Sequence, residues 1–121
     1  MTVQLVPGLP DNVVGVIAKG EIHASDYDAT IRPAIEDALS LHDKIRLLYV
    51  LGDDFEGFSA GAAREDSQLA KLASKFEMIA IVTDRDWIRH SVNLFGHLMS
   101  GAVKVFPVAE EANASEWTIS H

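Results

Sequence analysis

The chain has 121 residues, 48% hydrophobic and 23% charged, with no cysteine and a formal net charge of −8. That length suits one domain with its own core, here spanning residues 1–121, and the composition is that of a globular chain rather than a disordered one. Without cysteine there are no disulfides, thiolate metal sites or cysteine nucleophiles, and the negative field opposes nucleic-acid backbones and anionic lipid surfaces.

Met1 to Pro7 lacks the charged start and long apolar stretch of a signal peptide, and no later run reaches the length of a membrane span. The expectation is a soluble cytoplasmic protein without integral membrane association.

Val3–Val6 and Val13–Ala18 are β-branched runs separated by a turn-forming segment that contains Pro7, Gly8 and Pro10, which predicts an opening hairpin. Lys19–Ile22 then leads to Ser25, with Asp28 three residues later, a spacing that suits a helix start. Tyr27, Ile31, Ala34, Ile35, Ala38 and Leu41 recur at steps that give this helix one apolar face, with Pro33 as a kink or a first turn.

Ile45–Leu51 predicts a buried central strand, ended by a turn at Gly52, Asp53 and Asp54. A second helix follows from about Phe58 or Ser59 to Lys75, with Ala62, Ala63, Leu69, Leu72, Ala73 and Phe76 as its buried stripe and Arg64 facing water. Met78–Val82 reads as the next strand, and Thr83 or Asp84 supplies a cap for a helix from about Arg85 that carries Trp87, Ser91, Leu94, Phe95 and Leu98. Ala102–Phe106 gives the last strand, Pro107 stops it, and Glu110–Trp117 forms a final acidic helix.

Strand and helix alternate after the hairpin, so the predicted fold is α/β, with a mainly parallel sheet of four to five strands and crossover helices. Its central strands are apolar on both faces. If all crossover helices share one face, the other needs cover from the last helix or from a second subunit in a homodimer.

Asp26-Tyr27, Pro33-Ala34-Ile35-Glu36, Lys44-Ile45-Arg46-Leu47-Leu48, Asp54-Phe55-Glu56-Gly57-Phe58-Ser59 and Ala80-Ile81-Val82-Thr83-Asp84 are matching stretches, joined by Trp87, Leu94-Phe95-Gly96 and Val103-Lys104-Val105-Phe106. In these, over nearly its whole length, the chain resembles the SpoIIAA-like family of STAS and Sec14-type α/β domains. The resemblance implies a wound β/α sheet with the opening strand added at an edge. Anti-sigma-factor antagonists of this type carry a phosphorylatable Ser or Thr just before a glycine at the start of the second helix. Here that position is Ala60, before Gly61, with Ser59 one place early, which argues against a phosphorylation switch at Ser59.

Strand-to-helix junctions are where α/β proteins place their sites, so the predicted binding surface comprises Asp54, Phe55, Glu56, Phe58, Ser59, Arg85 and Trp87. Ser59 reads as a helix cap rather than a phosphoacceptor or nucleophile. Asp53, Asp54 and Glu56 read as a solvated turn rather than an acid–base pair or cation site, and Asp84 and Asp86 as dipole complements. His90 and His97 lie seven apart, and His23, His42 and His121 are scattered, without zinc-ligand spacing, so no metal and no cofactor is expected.

The leading expectation is a non-enzymatic binding module for a protein partner, with apolar complementarity around Phe55, Phe58 and Trp87 and orientation from the flanking charges. The alternative is a carrier for a small apolar ligand or lipid held between the second and third helices, an idea that Sec14-type relatives raise. A hydrolase that uses Ser59 with His90 or His97 is a third reading.

Overall fold

The structure, a computed structural model, describes residues 3–62, 64, 74–95 and 102–120. Five strands form one sheet in the order β1-β2-β3-β4-β5, with β1 spanning Val3–Leu5, β2 Val13–Ile22, β3 Ile45–Phe58, β4 Phe76–Val82 and β5 Ala102–Phe106. β1 pairs antiparallel with β2, and the pairs β2–β3, β3–β4 and β4–β5 are parallel. The predicted α/β class, the opening hairpin and the edge position of the first strand are therefore all observed.

The first helical stretch runs without a break from α1 (Ala24–Asp26) through a π-turn at Tyr27–Ile31 into α2 (Arg32–Leu41). It starts two residues earlier than the Ser25 spacing suggests. The backbone N–H of His23 donates to Asp26 Oδ2 at 2.8 Å, so His23 is the N-cap and Ser25 sits exposed inside the first turn. Pro33 lies in the first turn of α2, and just before it the Arg32 N–H bonds back to the Tyr27 carbonyl, five residues away. That widened turn accommodates a proline, which has no N–H to give and crowds the carbonyl four residues back. Tyr27, Ile31, Ile35 and Ala38 are buried as predicted, but Leu41, on the last turn, is 66% exposed.

The largest departure concerns β3. The segment Gly52-Asp53-Asp54 lies within the strand but bulges from it: pairing with β2 stops at Ala18–Leu51 and resumes at Gly20–Phe55, and the strand then continues to Phe58. Gly20 stands opposite Phe55, Glu21 opposite Gly57 and Ile22 opposite Phe58, with register shifts on both sides of Gly20. Gly20 and Gly57 have φ of 65° and 119°, conformations that glycine adopts without a Cβ penalty and that let two irregular strands stay paired. β4 likewise begins earlier than predicted, at Phe76, which belongs to the sheet and not to the second helix.

Side-chain alternation divides the core into two layers. On one face Val14, Val16, Ala18, Ile45, Tyr49 and Leu51 meet residues of the first helical stretch, Ala62, and Ile88 of α3 (Asp86–Phe95). Among the described side chains of α3, Ile88 and Val92 face this core and Trp87 is exposed, whereas those of Ser91, Leu94 and Phe95 in the predicted row, and Leu98 beyond α3, lie outside the description. On the other face Leu48, Val50, Ala80, Val82 and Phe106 are covered by Ala114 and Trp117 of α4 (Glu111–Ser120), which a short 3-10 turn at Val108–Glu110 precedes. Among the described residues, the first helical stretch, Ala62 and α3 pack on one face, and the chain's last helix packs on the other. Of the two covers considered for that face, α4 is the one observed.

α4 is fastened by a side chain as well as by packing. Arg46, on β3, has a side chain only 15% exposed; its Nε donates to Glu77 Oε2 at 3.1 Å and its Nη1 to the Thr118 carbonyl at 2.8 Å. The ion pair neutralises the buried guanidinium, and the bond to Thr118 ties the helix to the sheet.

Candidate functional site

β3 ends where the second helix opens, and the chain there is tightly specified. The backbone N–H of Ser59 continues the sheet by donating to the Ile22 carbonyl at 2.8 Å. Its Oγ accepts the Ala62 N–H at 3.1 Å, so the hydroxyl satisfies one of the free amides of the helical turn at 60–62. Ser59 is a cap, as its position predicted. Gly61 also has a packing reason: a Cβ there would stand 3.2 Å from the Ala24 Cβ, so the two helix starts approach closely.

Phe55, Phe58 and Trp87, named together from sequence, are in mutual contact. The Phe55 and Phe58 rings meet edge to face at 5.2 Å, Trp87 stacks on Phe55 at 6.4 Å with planes 29° apart, and Trp87 meets Phe58 at 6.5 Å and 85°. These are the separations and orientations that aromatic quadrupoles favour. The three rings do not share one role. Phe55 is 1% exposed and forms the floor, Phe58 is half-buried, and Trp87 is 53% exposed. Phe55 therefore belongs to the core beneath the surface that it was expected to join.

Arg85 spans the junction between strands. Its Nη2 donates to the Phe55 carbonyl at 2.7 Å, and its backbone N–H donates to Thr83 Oγ1 at 3.0 Å. The guanidinium thus holds the end of β3 against the start of α3. Asp84 has a different task from the capping predicted for it: its Oδ1 accepts the Val108 N–H at 3.0 Å and fixes the segment that leads to α4.

Asp53, Asp54 and Glu56 are exposed as expected. Phe55, between Asp54 and Glu56, turns into the core, which gives an exposed–buried–exposed order. Sequence could have carried this signal in the Asp-Phe-Glu alternation, but only if the segment were read as strand instead of turn.

His90 is exposed on α3, and His97 and His121 lie outside the described residues, as do Ser67 and the other residues of 65–73 for which a second helix is predicted. The Ser59 hydroxyl accepts the Ala62 N–H, and His97 of the hydrolase reading lies outside the described residues. Among the described residues no three His, Asp or Glu side chains group closely enough to hold a metal ion, and no helix is long and apolar enough to cross a membrane.

A cleft lies at the other end of the sheet, between the hairpin and α2, where Leu5, Val14, Ala34 and Leu41 bound a space of about 200 Å³. Sequence reading missed it because its walls come from three separate elements.

The SpoIIAA-like family model matches residues 13–118. The chain belongs to the SpoIIAA-like family. Its fold is similar to that of an uncharacterized protein of the DUF3478 family with a SpoIIAA-like fold from Shewanella loihica PV-4, at 22% identity and a TM-score of 0.73 over 96% of this chain and 91% of that one. No curated protein matches the chain. The SpoIIAA-like assignment accounts for the wound sheet and its edge hairpin.

Proposed function

We propose that this SpoIIAA-like chain is a non-enzymatic cytoplasmic binding module that docks a protein partner at the C-terminal edge of β3, with Trp87 as the central contact. The observation that carries the reading is the unequal exposure of the aromatic trio. A tryptophan 53% open to solvent is stacked on a fully buried phenylalanine and flanked by a half-buried one, so its ring is held in place before any partner arrives. Large aromatics that are immobilised in advance lose little rotamer freedom on association, which is why they dominate binding energy at interfaces. Phe58 extends the apolar contact, and Arg85 keeps the platform in register through the Phe55 carbonyl. The remaining predicted residues adjoin it in sequence: Ser59 caps the following helical turn, and Asp54 and Glu56 are exposed on β3.

The test is co-purification from the native cell with wild type and with Trp87→Ala, each confirmed folded by circular dichroism. A partner held by wild type and lost from the variant supports the surface. A partner held equally by both removes it.

A further inference from the structure

We infer that the cleft between the hairpin and α2 is a binding site for a small organic ammonium ion, one protonated amine carried on a short apolar body. This site lies at the opposite end of the sheet from the aromatic platform and is independent of it.

Three observations meet there. First, the lining is apolar and open: Leu5 is 47% and Leu41 66% exposed, two large aliphatic side chains left facing a space of about 200 Å³ above Val14 and Ala34. A dry apolar cavity of about 150 Å³ accepts a benzene ring, so this volume suits a ring or a six-carbon chain and is small for a lipid tail.

Second, the polar groups at the mouth carry one sign. Asp11 and Asp37 are the charged residues of the lining, which holds no lysine or arginine. Asp37, on α2, makes no ion pair among the described residues. Within a chain of net charge −8 the site therefore selects a cation and rejects an acid of the same shape.

Third, Asp11 already holds a nitrogen base. His42, just past the end of α2, places Nε2 at 3.0 Å from Asp11 Oδ1 and bridges the hairpin to the helix beside the cleft. An incoming ammonium competes with that imidazole for Asp11 while Asp37 receives it directly. The apolar body fills the space between Leu5 and Leu41, and the head stays at the wet mouth, the division of labour common in small-molecule sites.

The experiment is an amide-resolved NMR titration of the full chain at fixed ionic strength with hexylammonium chloride, 1-hexanol and sodium hexanoate. Hexylammonium is expected to give saturable shifts centred on Leu5, Val14, Ala34 and Leu41, hexanol weaker ones at the same places, and hexanoate none. Asp37→Asn should weaken hexylammonium about threefold to fivefold, the range of a partly exposed ion pair, and leave hexanol unchanged. His42→Ala, which frees Asp11, should tighten hexylammonium about twofold, an effect that a purely structural histidine would not produce. The inference is overturned if hexylammonium fails to saturate these positions, if hexanol or hexanoate binds as tightly, if its shifts scatter over the acidic surface, or if neither variant alters its affinity.

Discussion

On one face of the sheet several helical segments bury Tyr27, Ile31, Ile35, Phe55 and Ile88 against β2 and β3, whereas on the other α4 covers Leu48, Val50, Ala80 and Val82 and is fastened at Thr118 by Arg46. The first face distributes its cohesion over many side chains from separate elements, so it responds to any one truncation by losing packing. The second concentrates it in one helix and one cation, so it opens as a unit when that cation is removed. Local stability follows such differences in buried contact, and α4 is the element expected to detach before the rest unfolds.

The largest effect should come from the well-packed face. Phe55→Ala removes a buried ring that also supports Phe58 and Trp87, and an urea titration should show a loss of about 3–5 kcal/mol. Arg46→Ala should cost about 3 kcal/mol, because Glu77 loses its partner and Thr118 its donor. Its signature separates the two faces: hydrogen exchange should accelerate across 111–120 while β2 stays protected. Equal acceleration in both would mean that the faces unfold together.

Gly57→Ala should cost about 1–3 kcal/mol. A Cβ there meets nothing within 4 Å, so the penalty is that of a φ of 119°, and a thermal melt would read it. Ser59→Ala should cost about 1 kcal/mol by removing the cap on Ala62, and Ser59→Asp should restore most of it. Smallest of all, Trp87→Ala should change stability by less than about 1 kcal/mol, since much of the ring faces water, while abolishing the proposed association. A large destabilisation by Trp87→Ala would instead place that residue with Phe55 as part of the core.

Much of the architecture was legible because its signals are local. Val13–Ala18, Ile45–Leu51 and Ala102–Phe106 are apolar or β-branched runs between turn formers, and they are strands. The stretches around Pro33, Asp54–Ser59 and Ala80–Asp84 carried the family resemblance. The failures occurred where pairing overrode propensity. Gly52, Asp53 and Asp54 have the composition of a turn and bulge unpaired opposite Lys19, yet β2 reaches far enough to resume pairing at Phe55 and keep the segment within the strand. Phe55 there points into the core while Asp54 and Glu56 on either side are exposed, an order that the turn reading passes over. Trp87 was recognised as important, but on α3 the inward phase belongs to Ile88 and Val92. A helix phase is ambiguous by one residue when apolar side chains occupy adjacent positions.

The amino-acid order by itself determined a wound α/β domain of the SpoIIAA-like kind, its hairpin edge and the serine cap on its second helix, because these depend on side-chain periodicity and on bonds between near neighbours. Only the tertiary structure decided that Trp87 stays exposed over Phe55, that α4 covers the second face, and that a cleft with an acidic mouth opens beside Leu41. Each of these depends on which surfaces meet across the sheet, and that is fixed by strand register and crossover sense acting between residues far apart in the chain.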